Sequence, residues 1–397
     1  MAVRPSFRMR RWLCTPAVAG AMLLSAGFSE KMPAQPRTRS DRGAQSAAES
    51  PATWRFAVSG DSRNCGDIVM PAIAASAKNL GVGFYWHLGD FRNLYNIDED
   101  ISRRPGYQSK KMSLDEYRQM AWQDFITYQL DLFKPLPVYL GIGNHELGDQ
   151  KTVIHTRADY IQTFRSWLDQ PALRRAREAD GTATLETYYH WTERDVDFIN
   201  LDDASIDQFD ANQMAWFHRV MGKDESDSKV QTIVVGMHEP LPNSISFGHS
   251  MSESGKQVPI DSGREVYREM LKAQNGAHKK VYILASHSHY YMNGIFGTEY
   301  WRTNGGVLPG WIVGTAGAQR YALPDAWRDA QVAIQNVYGY LLAIVNPRAA
   351  EGQPADGTIW FEYKLLNRSD VPSAVEQRFG PALVDFCFEQ NIRAKPL

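Results

Sequence analysis

Short apolar runs that stop at a glycine or an acid alternate, along this chain, with stretches of helical periodicity. Trp54–Ser59 and 84–88 read as buried strands ending in Gly60-Asp61 and Gly89-Asp90. Val138–Leu140, after Pro137, runs into Gly141-Ile142-Gly143-Asn144-His145-Glu146, whose glycines let the backbone turn sharply. Thr232–Gly236 leads to Met237-His238, and 281–285 leads to Ser286-His287-Ser288-His289. Residues 187–191 and 196–201 pattern as paired strands, with further strands at 311–313, 340–345 and 358–364.

Between the strands lie predicted helices. One covers 68–78, with Asp67 as its cap and Gly81 at its end. Ser113 and Glu116 form a capping box for a helix reaching about residue 130. Others cover 159–168 and 262–273, and Asp210 with Gln213 opens an amphipathic helix carrying Met214, Phe217 and Val220. Residues 174–184 read as a charged loop. Strands alternating with helices give an α/β class, and no repeat or break interrupts 53–390.

The start of the chain departs from this pattern. Arg4, Arg8, Arg10 and Arg11 precede an apolar, small-residue run over 12–28, which reads as a signal peptide over 1–29. Ser25-Ala26-Gly27 offers small residues for cleavage, and Arg10-Arg11 points to the twin-arginine route. The run is too short and too rich in Gly, Ala and Ser for a spanning helix, so no membrane span is expected in the mature chain. Residues 30–52, rich in Pro, Ser, Ala, Arg and Gln, read as a flexible linker to one large domain over 53–397. The expected location is secreted or periplasmic. A net charge of -2 without a long basic block gives no sign of bulk nucleic-acid binding. Cys65 and Cys387 are the only cysteines beyond the leader, and their spacing leaves both a disulfide and two free thiols open. Oligomeric state is not set by the sequence.

The strand ends hold the chemistry. In chain order they present Asp61, Asp90, Asn144, His238, and the pair His287 and His289. Carboxylate, amide oxygen and imidazole together suit borderline divalent ions such as Zn, Mn or Fe rather than calcium. Asp90 is the natural carboxylate to be shared between two ions.

The blocks Gly60-Asp61, Gly89-Asp90, Gly143-Asn144-His145-Glu146, His238 and His287-Ser288-His289 resemble those of the calcineurin-like metallophosphoesterases, from about residue 54 to 317. The resemblance implies two facing mixed β-sheets with helices outside, a four-layer αββα sandwich. It also implies a dinuclear centre that hydrolyses a small phosphorylated substrate, a monoester or a diester, by attack of a metal-bound hydroxide. One of two divalent metal ions would take Asp61, Asp90 and His289; the other would take Asp90, Asn144, His238 and His287. His145 would stabilise the phosphoryl group or protonate the leaving oxygen, with Glu146 as its orienting partner. A catalytically weak metal- or ligand-binding protein on the same fold is the alternative.

Three positions depart from the family pattern. Arg63 stands where Asp-x-His is usual, and a guanidinium cannot ligate a metal. Water, Asn93 or Tyr95 would have to replace that nitrogen; a tyrosine here is similar to purple acid phosphatases, displaced by two residues. Ser286 replaces a glycine. The block Gly89-Asp90-Phe91-Arg92-Asn93 lacks the Asp-Arg-Gly of Ser/Thr protein phosphatases, which argues against that activity. Arg63 is read as a catalytic phosphate clamp, with a salt bridge at the rim as the other reading. His249 is read as a solvated loop histidine or a substrate contact, Tyr290 and Tyr291 as pocket wall or core, and Gly314-Thr315-Ala316-Gly317 as a close approach to the site or a plain turn. His87, His155, His190, His218 and His278 have no supporting pattern. Substrate choice is expected in loops 91–112, 147–158, 174–184 and 239–262.

Overall fold

The structure, a computed structural model, describes residues 52–148, 154–204, 208–246, 248–251 and 261–393. The signal peptide expected over 1–29 lies outside the described residues, as does the linker over 30–52 except for Ala52.

In chain order the strands are β1 (Trp54–Ser59), β2 (Tyr85–His87), β3 (Val138–Leu140), β4 (Tyr189–Glu193), β5 (Val196–Asn200), β6 (Thr232–Gly236), β7 (Lys280–Ala285), β8 (Tyr291–Asn293), β9 (Gly310–Val313), β10 (Arg320–Tyr321), β11 (Val332–Ile334), β12 (Tyr338–Val345), β13 (Ile359–Leu366) and β14 (Ile392–Arg393). They form a five-stranded sheet ordered β13-β12-β1-β2-β3 and a seven-stranded sheet ordered β11-β8-β9-β7-β6-β5-β4, with β10 and β14 as a small parallel pair. Both large sheets are mixed. β1, β2 and β3 are parallel in the first, and β5, β6, β7 and β9 are parallel in the second. Parallel strands put their carboxyl ends on one edge, which is where open α/β sheets place their chemistry.

The two sheets face each other across an aromatic core. Trp86 of β2 is fully buried, donates from Nε1 to Asn200 Oδ1 of β5 at 3.1 Å, and lies over Gly236 of β6, where a Cβ would come within 2.3 Å of its ring. Tyr139 stacks on Trp191 with centroids 3.8 Å apart, and Phe56 meets Phe198 edge-on at 5.0 Å. Such pairs add about 0.5–1.5 kcal/mol each beyond their area burial. A second apolar cluster joins Ile199, Ile233, Val235 and Ile283 of the seven-stranded sheet to Phe217, Val220, Val266 and Met270 of the helices Ala211–Ser226 and Asp261–Asn275. The helix Gly66–Asn79 packs on the five-stranded sheet. The outcome is the helix–sheet–sheet–helix sandwich expected from the sequence.

Several local expectations change. The capping box of Ser113 and Glu116 forms and opens the helix Leu114–Tyr128. The helix expected over 68–78 starts at Gly66, and Asp67 turns its carboxylate inward to Arg92 instead of capping. Asp210 accepts from the backbone of Asn212 and Gln213, but the Gln213 side chain bonds the Asp202 backbone, so no box forms. The charged loop expected over 174–184 is largely the helix Pro171–Ala179. Pro171 in its first turn is preorganised for a helix, buried Leu173 anchors one face, and Arg174 and Arg177 fold back onto Asp169. Cys65 and Cys387 are bonded, with Cα atoms 5.9 Å apart, which ties the loop after Asp61 to the helix Pro381–Glu389.

The segment after Asp90 is anchored by charge. Arg92 is fully buried and pairs with Asp67 at 2.5 Å, Asp100 at 3.0 Å and Asp98 at 3.4 Å, and also with Asp124. Arg104 joins from the side, bonded to Asp67 and Asp124. Loop 91–112, expected to select substrate, thus has its first half locked into the interior. Removing one partner of a buried ion pair strands the other charge, at a cost of about 3–5 kcal/mol. Arg92→Met is expected to lower the unfolding free energy by about that amount in urea titration. A loss below about 1 kcal/mol would show that these carboxylates do not depend on Arg92.

Candidate metal centre

Asp61, Asp90 and His287 follow β1, β2 and β7, and all three sit in the left-handed region, with φ of 59°, 60° and 62°. Asp and His tolerate that region better than most residues, and strained backbone of this kind clusters at functional sites. Two glycines make room. A Cβ on Gly143 would lie 2.3 Å from Asp90 Oδ1, and one on Gly314 would lie 2.6 Å from Asp61 Oδ2. The turn 314–317 is therefore a close approach to the site.

Each of three histidines is oriented by a backbone carbonyl. His238 Nδ1 donates to Leu88 O at 2.9 Å, His289 Nδ1 to Gln319 O at 2.7 Å and His145 Nδ1 to Asn93 O at 2.5 Å. In the neutral ring this leaves a bare lone pair on each Nε2, directed away from the supporting carbonyl. Ser286 shares the first of these carbonyls, donating its hydroxyl to Leu88 O at 3.0 Å. A Cβ on Gly60 would lie 2.5 Å from that hydroxyl, so Gly60 gives the serine its space.

Around His238 Nε2 the lone pairs converge. Asn144 Oδ1 lies 3.1 Å away, His287 Nδ1 3.0 Å and Asp90 Oδ1 3.4 Å. Ligand atoms of Asp90, His238 and His287 all fall within 4.8 Å of one another. Atoms this close need a proton or a cation between them. A proton can supply it: burial opposes a charge on His238, but Asp90, Asp61 and Asp203 push its imidazolium up to about 9. A divalent cation satisfies the same lone pairs together, so this donor set fits a metal.

The expected first set, Asp61, Asp90 and His289, is arranged differently. Asp61 Oδ2 accepts from His287 N at 2.7 Å, and Oδ1 lies 3.2 Å from His289 Nε2. Arg63 enters this group. Its Nη2 lies 2.8 Å from His289 Nε2, its Nη1 2.5 Å from His145 Nε2, and its Nε 3.4 Å from Asp90 Oδ2. The Nε2 lone pairs of His289 and His145 and the Asp90 Oδ2 oxygen thus face the guanidinium.

The remaining residues sort by contact. His145 is nearly buried; burial and the Arg63 charge hold it down to about 3, so it is a neutral acceptor here. Glu146 was expected to orient His145, and Asn93 O does so instead. The Glu146 carboxylate accepts from the backbone N–H of Asp90, Phe91 and Gly143 at 2.8, 2.8 and 2.7 Å, clamping the two ligand loops together. Asn93 reaches His145 through its carbonyl, and Tyr95 packs edge-on against the His145 ring at 4.7 Å. His249 lies beside the site: its ring is 5.2 Å from His287, and burial pulls its pKa down to about 4. Tyr321, which sequence reasoning missed, covers His289 with centroids 4.0 Å apart; no motif marks it. Tyr290 bonds Ser246 and Tyr291 stacks on Tyr363, so both pack in the interior. Of the histidines without a pattern, His155 stacks on Trp122 and His190 pairs with Asp180 and Asp197.

No family model matches the chain, and no curated protein matches it. Among solved structures, a structure of PhoD aligns with TM-score 0.46 and 13% identity over 74% of this chain. The chain spans 64% of the length of that PhoD chain, less than two thirds. A protein serine/threonine phosphatase from Saccharomyces cerevisiae with similarity to human phosphatase PP5 aligns with TM-score 0.25 and 10% identity, covering 79% of this chain and 80% of the other.

His238→Ala removes the nitrogen at the middle of the converging donors. It is expected to lose at least about tenfold in metal affinity, by competition with a chelating dye, with an unchanged circular dichroism spectrum. Unaltered affinity would place the metal elsewhere.

Proposed function

We propose that the protein is a hydrolase of phosphate esters that works at a metal centre held by Asp90, Asn144, His238 and His287. One observation carries the reading: the lone pairs of these four residues converge on one point at the strand ends, beside an arginine. Carboxylate, amide and imidazole donors suit Mn, Zn or Fe. When bound there, the ion supplies Lewis-acid charge and activates water.

The chain's own residues supply the rest. Arg63 has five N–H bonds, and His145 and His289 take two of them, so others remain for phosphoryl oxygens. Its planar charge is permanent, which suits an anion that gains charge density in the transition state. His145 keeps its Nε2 at the guanidinium and thereby fixes the fork. Protonation of a leaving oxygen by His145 requires that it first gain a proton as substrate charge enters. His249, next to His287, reaches the same space from the opposite loop. The substrate is a small phosphorylated molecule.

The reading includes export. The leader-like residues 1–29 and the Cys65–Cys387 disulfide both support a secreted or periplasmic location, since structural disulfides persist in oxidising compartments. N-terminal sequencing of the protein from its host is expected to begin near residue 27 to 30, and a retained Met1 would refute export with cleavage.

Hydrolysis of aryl phosphomonoester and phosphodiester substrates tests the activity. A chelator is expected to reduce turnover by at least about a hundredfold, and added Mn, Zn or ferrous ion to restore it. No hydrolysis with any of these ions, while one stays bound, would leave a metal-binding protein without this activity.

A further inference from the structure

The site contains two groups of inward-facing lone pairs that share one carboxylate. Asp90 Oδ1 faces His238, and Asp90 Oδ2 faces Arg63. On the His238 side, Asp90 Oδ1 faces the imidazole at 3.4 Å. On the other side, a guanidinium is already in place. We propose that Arg63 is a built-in second cation: the centre takes one metal ion, and the guanidinium occupies the position that another ion would need. This inference rests on the phosphoesterase reading for its chemistry, and on the geometry alone for its metal count.

Four observations carry it. His289 and His145 both present Nε2 as an acceptor, because each commits Nδ1 to a carbonyl, and both acceptors receive Arg63 N–H bonds. Asp61 Oδ1 and Asp90 Oδ2 are buried oxygens without a hydrogen-bond partner among the described residues; Arg63 Nε lies 3.4 Å from Asp90 Oδ2, and Asp61 Oδ1 lies 3.2 Å from His289 Nε2, which Arg63 also contacts. A guanidinium stays protonated in proteins, and the Asp90 carboxylate lies against this one, so the charge there is permanent. The loop that carries Arg63 is also fixed. Asn64 N donates to Asp98 Oδ1 at 2.8 Å, and Cys65 is bonded to Cys387. The backbone that carries Arg63 is therefore fixed by the fold.

The consequence is chemical. A guanidinium carries one charge where a metal ion carries two, binds no water as a ligand, and offers directed N–H bonds. Asp90 then bridges a metal and an arginine. Asp90, Asn144, His238 and His287 would hold the ion, and the Arg63 fork would take two phosphoryl oxygens at once.

Metal content and spin coupling test the proposal on the full mature chain. After loading with Mn and removal of excess ion, wild type is expected to hold about one ion per chain and to give the electron paramagnetic resonance spectrum of isolated Mn. Arg63→His returns a nitrogen donor and frees His289, so it is expected to hold about two ions and to show an exchange-coupled pair. Arg63→Ala vacates the same position; it is expected to bind a second ion more weakly and to lose about ten- to a thousandfold in turnover, the effect of losing one placed stabiliser. Two ions in wild type would overturn the inference and leave the phosphoesterase reading intact. One ion in wild type and in both variants would also overturn it, because no second cradle would then lie under the guanidinium. No ion in wild type would overturn the metal centre itself, and with it both readings.

Discussion

Lone pairs cannot face one another without a proton or a cation between them, and this structure points a set of them at two adjacent positions. The fold supplies the constraint through ordinary backbone carbonyls. Leu88, Gln319 and Asn93 each take the Nδ1 proton of a histidine and thereby turn its Nε2 inward as an acceptor. At one position the charge is part of the chain, in Arg63. At the other it is a proton on His238 or a divalent ion.

Much of the surrounding structure serves to hold those acceptors where they repel. Parallel strands bring Asp61, Asp90 and Asn144 from one sheet to the same edge as His238, His287 and His289 from the other. Glu146 joins the Asp90 and Gly143 loops by three backbone bonds, Arg92 pins the segment that follows Asp90, and the disulfide pins the segment that follows Arg63. Such preorganisation matters because a site that stabilises developing charge works best when its dipoles need no rearrangement during reaction.

The frame was largely legible in the sequence, since short apolar runs ending in glycine or acid marked β1, β2, β3, β6 and β7 and the residues at their ends. That local signal belongs to the strands themselves. What escaped it depends on pairs far apart in the chain. Asp67 reads as a helix cap, and Asp98, Asp100 and Asp124 carry no local signal, until the fold gathers all four on Arg92. His249 and Tyr321 carry no motif and reach the site only through loop packing. Glu146 stood in the right block but holds different groups. Its neighbour in sequence suggested a histidine partner, whereas its geometry suits backbone amides. Arg63 was recognisable as a departure, but only the spatial arrangement shows its guanidinium against His145, His289 and Asp90.

The central claim is that one metal ion and one guanidinium share Asp90. Anomalous diffraction from crystals of the zinc-loaded protein measures this directly. One anomalous peak is expected, roughly 2.0–2.2 Å from His238 Nε2 and from an Asp90 oxygen, with the Arg63 side chain still against His289 and His145. A second peak between Asp61 and His289, with Arg63 swung away, would contradict it.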